Sequence, residues 1–208
     1  MKRNTSKTTR SKIIRAVRSI IARDGAEGVS MRTLGRRIGI TQSVLYYYFP
    51  DKDQLLRAMF DETNILLGKK RRALPALRSF PRLLEQRIGF QFDQGEAVTA
   101  VLKYYLHARR TFPHRKEGGY VPEKAALHIE EVLAIGKRNG VLLPVIDIAE
   151  NAKVIAHAIN GFVMEYYPLA PKGTERTHLI RSIAGLIYPA LTGKRFPDPA
   201  RKKGGDQI

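Results

Sequence analysis

The sequence contains no cysteine among its 208 residues, which excludes disulfides and thiolate metal sites. It also lacks a long apolar run, since the longest, 183–191, is far shorter than the ~18 residues that a membrane span requires. The basic N-terminus is not followed by the apolar core of a signal peptide, because Arg15 and Arg18 separate its isoleucine pairs. We therefore expect a chain that stays in the reducing cytoplasm and does not associate with a membrane.

Acidic residues are scarce. The chain carries 37 Lys and Arg against 19 Asp and Glu, which gives a net charge of +18 and a pI near 10.3. Residues 1–60 hold thirteen of the basic residues and only four of the acidic ones, a local net charge of +9. This concentration predicts a polyanionic partner, nucleic acid before membrane. A generally basic, solvated surface is the alternative that composition leaves open.

Strand signals are also poor, and apolar residues recur at helical spacing instead. A first helix is predicted from about Thr8 to Arg23, with an apolar stripe along one side and Gly25 as its stop. The polar, basic stretch Lys2–Lys12 that leads into it is expected to act as a mobile arm.

Two short helices joined by Gly-Ile-Thr predict a helix-turn-helix. Ser30 is a suitable N-cap for Met31–Ile38, and Gly39 stands where a left-handed residue would end that helix. Thr41 is a suitable N-cap for the next helix, which is predicted over Gln42–Phe49.

This second helix has two faces. At 100° per residue, Leu45 and Phe49 form a buried side, and an amide, a hydroxyl and two phenols point outward (Gln42, Ser43, Tyr46 and Tyr47). Solvent-facing helices usually carry Lys and Glu, whereas amides read base edges and phenols contact phosphates in a DNA groove. The alternative is that the tyrosines pack against the neighbouring helices.

A capping box predicts the start of the fourth helix. Asp51 and Gln54 stand at the two capping positions after Pro50, and the helix is expected to run towards Gly68. Lys52 falls in its first turn, where free N–H groups and the helix dipole already favour an anion, so a phosphate contact is expected. The basic run 69–72 that follows is interpreted as a solvated helix end rather than a second DNA contact.

Three segments within residues 13–56 carry a family resemblance. They are Ile-Ile-Ala-Arg-Asp-Gly (20–25), Ser-Met-Arg-Thr-Leu-Gly-Arg-Arg-Ile-Gly-Ile (30–40) and Leu-Tyr-Tyr-Tyr-Phe-Pro-Asp-Lys-Asp-Gln-Leu-Leu (45–56), of which the last is the most specific. In these segments the sequence resembles the tetracycline-repressor (TetR) family of bacterial transcriptional regulators. The resemblance implies an all-α fold in which a helix-turn-helix domain precedes a helical domain for ligand binding and dimerisation.

The resemblance also implies a set of DNA contacts. Arg32, Gln42 and Ser43 would approach base edges. Backbone contacts would surround them, from Thr41, Val44, Tyr46, Tyr47, Tyr48 and Lys52. Two positions depart from the family pattern: Gly35 stands where an alanine is common, and Tyr48 where a histidine is frequent, which puts the phosphate contact of Tyr48 in doubt.

The rest of the chain is also predicted to be helical, which gives about nine helices for the whole chain. Five are predicted near Ser79–Phe92, Glu96–Phe112, Pro122–Asn139, Asp147–Tyr167 and Thr174–Leu191. We expect a DNA-binding domain over residues 1–50, a ligand-binding and dimerisation domain over 51–195, and a disordered tail over 196–208.

Two further sites follow from the resemblance. Helices 5 to 7 would wrap a ligand cavity, with candidate wall residues Phe90, Phe92, Leu102, Tyr105, His107 and His128. Helices 8 and 9 are rich in small residues that permit close approach, which favours a dimer interface at Ala152, Ala156, Gly161 and Ala184. For both sets the alternative is ordinary core packing.

The sequence contains none of the common catalytic or nucleotide-binding motifs, so we expect neither an enzyme nor a bound cofactor. Its five histidines lack metal-ligand spacing, and His128 with Glu131, one turn apart, is the only weak exception. The favoured function is a repressor that binds a pseudo-palindromic DNA operator as a homodimer and is released by a small molecule. The alternative is a non-specific, architectural nucleic-acid-binding protein.

Overall fold

The computed structural model describes residues 2–111, 122–169 and 171–197, without the side chains of 2–7 and 122–125. Within these ranges the fold is all-α, as predicted, and contains no strand. No helix in the described part is long and apolar enough to cross a membrane. The α-helices are α1 (Lys2–Asp24), α2 (Met31–Ile38), α3 (Gln42–Tyr48), α4 (Lys52–Arg72), α5 (Phe80–Asp93), α6 (Gly95–Thr111), α7 (Pro122–Arg138), α8 (Ile148–Tyr166) and α9 (Gly173–Thr192).

The helices group into two compact units. The first contains residues 1–74, 94–119 and 163–169, and therefore α1 to α4, α6 and the end of α8. The second contains residues 75–93, 120–162 and 170–208, and therefore α5, α7, most of α8 and α9. This grouping describes packing, and the predicted domain boundary at residue 50 stays a prediction. The predicted tail lies mostly outside the described residues.

The core of the first unit forms around α1. The predicted apolar stripe is buried, with Ile13, Val17 and Ile21 fully inaccessible, and α1 packs against α6 and α4. A second link joins α6 to the end of α1: the Lys103 Nζ donates hydrogen bonds to the carbonyl oxygens of Ala22 (2.7 Å) and Arg23 (3.0 Å). These carbonyls belong to the last turn of α1, where no helical N–H is available to them.

The helix-turn-helix has the predicted caps. Ser30 accepts a hydrogen bond from the Thr33 N–H (3.4 Å) at the start of α2, and Thr41 accepts one from the Val44 N–H (3.3 Å) at the start of α3. Gly39 ends α2 with φ of 69°, the left-handed conformation that a residue without Cβ adopts at little cost. The sequence therefore fixes both ends of the turn between the two helices.

Two predicted boundaries are wrong. The structure continues α1 back to Lys2, so the basic segment predicted to be a mobile arm is helical. That segment has no apolar residue to signal a helix, but it also has no Pro or Gly to stop one. Similarly, α4 does not end at Gly68 but includes the basic run and ends at Arg72.

The second unit is organised by α5, which contacts both α7 and α9. The Phe80 ring lies 5.8 Å from the Tyr188 ring of α9, and a Cβ on Gly136 of α7 would lie 2.8 Å from the Phe80 ring. Further along α5, the side-chain nitrogens of Gln91 and His128 are 3.2 Å apart. Because positions 80 and 136 meet at one end and 91 and 128 at the other, α5 and α7 run antiparallel.

Asp51 provides a test of the predicted capping box. Its Oδ1 accepts a hydrogen bond from the Gln54 N–H (2.7 Å), and its Oδ2 accepts one from the Gln54 side-chain amide (2.9 Å). Asp51→Ala removes both acceptors, so we expect it to lower the free energy of unfolding by about 0.5–2 kcal/mol in urea denaturation. Asp51→Asn is the matched control and should stay near wild type, because asparagine caps helices about as well. Equal losses in the two variants would contradict this role.

Candidate nucleic-acid interface

The two predicted faces of α3 are present in the structure. Leu45 and Phe49 are buried, at 0% and 2% exposed, whereas Tyr46 and Tyr47 are 43% and 81% exposed. Exposed side chains continue the outer face towards the start of the helix, at Thr41, Gln42, Ser43 and Val44. Tyr48 is half-buried, and its ring stacks edge-on against Tyr47 with centroids 5.2 Å apart. The outer face therefore presents amide, hydroxyl and phenol groups to the solvent side of the unit.

Two groups of cations in the first unit differ in their pairing with acids. Some are paired with acids: Arg10 with Glu62, Arg18 with Glu96, Arg23 with Asp24, and Arg57 with Asp53. Others lie beside the helix-turn-helix and have no ion pair with an acid in the described part of the chain. These are Arg32, Arg36 and Lys52, of which the two arginines are exposed and Lys52 is half-buried.

Arg36 is a candidate that the sequence reasoning missed. It lies four residues after Arg32, so the two guanidinium groups share one face of α2. The helical spacing alone could have identified it, because the apolar positions of α2 leave this face polar. Arg37, the next residue, instead lies near the Asp24 carboxylate, which contributes to lowering the pKa of Asp24. The main cause of that lowered pKa is the hydrogen bond from Arg23.

Two contacts hold α3 in place. The Arg10 guanidinium lies over the Phe49 ring, 5.2 Å from its centroid, and also pairs with Glu62 of α4. On the other side, a Cβ on Gly35 of α2 would lie 3.0 Å from the Ile40 carbonyl oxygen, tighter than ordinary van der Waals contact. Gly35, which departs from the family pattern, therefore lies where α2 and the turn approach each other closely.

The predicted ligand-site residues divide between the two units. In the first unit, Leu102 is buried, Tyr105 lies beneath the Arg109 guanidinium (5.8 Å to the ring centroid), and His107 Nδ1 lies 3.1 Å from Glu27 Oε1. In the second unit, Phe90 and His128 are buried and Phe92 is half-buried. His128 contacts Gln91, and the described residues contain no group of three potential metal ligands. A role for any of the six in ligand binding stays a prediction.

The predicted dimer residues also differ among themselves. Ala152, Ala156 and Ala184 are buried within a single chain, at 0%, 3% and 0% exposed, which favours the core-packing alternative for these three. Gly161 is exposed, and a Cβ added there would meet nothing within 4 Å. The sequence reasoning missed two exposed apolar side chains on the same helices, Val154 and Leu186, each 68% exposed.

Part of the chain is similar to known bacterial regulatory proteins. Residues 13–59 match the family model for bacterial regulatory proteins of the tetR family. Over 110 residues the chain is 31% identical to the HTH-type transcriptional regulator BetI of Rhizobium meliloti (strain 1021). That match covers 49% of this chain and 53% of BetI, so it spans about half the length of the curated relative.

Solved structures share the fold over most of the chain. A transcriptional regulator FadR from Bacillus subtilis, solved in complex with stearoyl-CoA, is similar with a TM-score of 0.61 and 16% identity, over 87% of this chain and 98% of its own. A putative transcriptional regulator from Saccharomonospora viridis, solved in complex with choline, is similar with a TM-score of 0.67 and 14% identity, over 90% and 100%. At these identities the likeness concerns the fold alone.

Proposed function

We propose that this chain, which matches the family model for bacterial regulatory proteins of the tetR family over residues 13–59, is a transcriptional repressor that binds a pseudo-palindromic operator as a homodimer. The observation that carries the proposal is the outer face of α3, where uncharged groups suited to base edges are exposed beside the cations Arg32, Arg36 and Lys52. Phosphate contacts position such a protein, and base contacts select the sequence. The site of action is the cytoplasm.

The proposed base contacts are made by Gln42 and Ser43 at the start of α3 and by Arg32 of α2. An amide reads adenine in two hydrogen bonds, and a guanidinium reads guanine in the same way. The surrounding contacts to the DNA backbone come from the rest of the outer face and from the start of α4: Thr41, Val44, Tyr46, Tyr47, Tyr48 and Lys52.

The proposed dimer is formed by the exposed apolar faces of α8 and α9. Val154, Ala158 and Gly161 follow one another at helical spacing along α8, and all three are exposed in the single chain. Leu186 and Ala190, four residues apart and both exposed, form a second such face on α9. Exposed apolar faces of this kind mark association surfaces, and a second copy of the chain supplies a matching one.

A small molecule is proposed to release the protein from DNA, through α6. This helix is bound to α1 by the Lys103 hydrogen bonds, and its Tyr104 ring lies 5.0 Å from the Phe60 ring of α4. Because α4 begins at Lys52, only four residues after α3 ends at Tyr48, a displacement of α6 would change the angle at which α3 meets DNA. A coupling free energy of about 1–3 kcal/mol between effector and DNA is typical of such regulators.

Selection of bound sequences from a random duplex pool tests the proposed function directly. We expect a pseudo-palindrome with half-sites about one helical turn apart, ~34–36 Å, or somewhat more. A footprint on the selected duplex should then be discrete. Uniform coverage, together with equal affinity for selected and scrambled duplexes, would favour the architectural alternative.

Gln42→Ala and Lys52→Ala separate reading from positioning. The Gln42 variant should lose about 1–3 kcal/mol of binding free energy on the selected operator and lose preference at one base pair. The Lys52 variant should weaken all duplexes by the same factor, because a phosphate contact carries no sequence information. Binding titrations on matched and single-substituted operators measure both. If the Gln42 variant loses the same binding free energy on every operator, Gln42 does not contact a base.

A further inference from the structure

Arg87 is the most unusual cation of the second unit. It lies on α5 between the two positions where that helix meets α7, Phe80 against Gly136 and Gln91 against His128. The antiparallel register therefore places Arg87 opposite the turn of α7 that contains Glu131. Gln91 and His128, one turn further along, are 5% and 2% exposed. Arg87 itself is half-buried, so this side of α5 is polar although part of it is closed to solvent.

The Arg87 guanidinium has donors with no acceptor. Its Nε and Nη1 atoms are both buried, and no acceptor within the described residues lies at hydrogen-bond distance from either. Burial lowers the pKa of Arg87, and the nearby Glu131 carboxylate opposes this effect. An arginine nevertheless remains charged, so its buried N–H groups retain their full demand for acceptors. Buried donors without a partner are rare in proteins because each costs free energy.

The acidic residues of α5 itself are already paired elsewhere. The two acidic residues of α5 both accept from α9: Glu85 Oε1 lies 3.3 Å from Arg181 Nε, and Asp93 Oδ1 lies 2.5 Å from Arg176 Nη2. Arg176 also donates to the Gly89 carbonyl at 3.1 Å. Arginines of α9 therefore bind both acids of α5, whereas the buried Nε and Nη1 atoms of Arg87 have no hydrogen-bond partner.

We propose that Arg87 binds an anionic oxygen group, a carboxylate or a phosphate, of the small-molecule effector. The inference rests on the proposed release by a small molecule and narrows its chemistry. An anionic oxygen would accept charge-assisted hydrogen bonds from the guanidinium, the strongest kind available in a closed site. The Gln91 and His128 pair supplies further polar groups one turn along the same side of α5.

Two probes test this proposal on the full chain: octanoate, with octan-1-ol as its neutral counterpart, and inorganic phosphate. Wild type should bind at least one anion, in preference to the alcohol, by isothermal titration. The Nε–H resonance of Arg87, identified by its absence in Arg87→Met, should shift during the titration. Arg87→Met should weaken anion binding about 10- to 100-fold and leave octanol binding unchanged. The two anions together distinguish a carboxylate ligand from a phosphate ligand.

Arg82→Gln is the matched control, because Arg82 lies on the same helix, is exposed, and changes the net charge by the same amount. It should bind the anion as wild type does. Without anion, Arg87→Met should melt no lower than wild type, because the substitution removes unsatisfied buried donors. Arg87→Lys retains the charge without the planar fork and should bind the anion at intermediate strength.

Three results would overturn the proposal. The first is that neither anion shifts the Arg87 resonance, and the second is that Arg82→Gln weakens anion binding as much as Arg87→Met does. The third is that Arg87→Met converts a dimer to a monomer, which would make the missing acceptor a group of the second copy. Selection from the random duplex pool is independent of these results. A discrete operator with no anion at Arg87 refutes only this inference, and anion binding without a discrete operator refutes only the proposed repressor.

Discussion

A chain carrying Val154→Arg and Leu186→Arg is expected to be monomeric and to lose operator affinity by about 10²- to 10⁴-fold. Both side chains are exposed in the single chain, so the substitutions remove no packing from its own core. In the proposed dimer they would instead place four guanidinium groups in an apolar interface without partners. Two half-sites bound by linked subunits gain affinity of this order from effective concentration alone, and a monomer loses it.

Light scattering and operator titration measure the two effects, and the melting temperature shows whether the chain still folds. Leu127→Arg is the control, because Leu127 is a 54% exposed apolar residue on α7 and receives the same side chain as each of the two tested positions. It should remain dimeric and bind the operator normally. If the double variant stays dimeric, the dimer interface is not formed by the exposed faces of α8 and α9. Ala156 is unsuitable for this test, since arginine there would disrupt the chain's own core.

Raising the salt concentration should also lower operator affinity strongly. Arg36 and Lys52 give four candidate phosphate contacts in a dimer, and each contributes about −0.9 to the slope of log K against log salt. Affinity should therefore fall about 10²-fold between roughly 50 and 200 mM salt. Fluorescence anisotropy with a labelled operator across this range measures the slope.

Arg36→Gln tests the cation that the sequence reasoning missed. It removes one contact from each subunit, so the slope should become shallower by about two. Arg138→Gln makes the same charge change at an exposed position at the end of α7 and should leave the slope unaltered. If the two variants change the slope equally, the effect comes from net charge and Arg36 does not contact DNA.

The helix-turn-helix could be predicted closely because its signals are local. Each of these signals acts within about one turn of the chain. Gly39 has the expected positive φ, Ser30 and Thr41 cap the two helices, and Leu45 and Phe49 form the buried face. The start of α1 was missed because a run of basic and polar residues gives no apolar period. Such residues can still extend a helix that is anchored further along.

The roles of residues in the second unit were harder to predict from the sequence, because they depend on partners that are distant along the chain. Small residues permit close approach, but the sequence does not tell whether the neighbour is the same chain or another, and Ala152 and Ala184 are in the chain's own core. His107 was expected in a ligand cavity and contacts Glu27, 80 residues away along the chain. Likewise, nothing in the spacing of α5 shows that α9 pairs with both of its acids, or that the Nε and Nη1 atoms of Arg87 are buried without a hydrogen-bond partner.

The stability of the last turn of α1 depends on the Lys103 ammonium of α6. Helix ends normally fray, and amide protons there exchange with solvent rapidly. Here the Ala22 and Arg23 carbonyls are held by a side chain from another helix. The amide protons near Gly25 should therefore exchange more slowly than those at an ordinary helix end, and they should exchange faster whenever α6 withdraws. Deuterium uptake in this one turn would then report the position of α6 in the free protein, on the operator and with an effector bound.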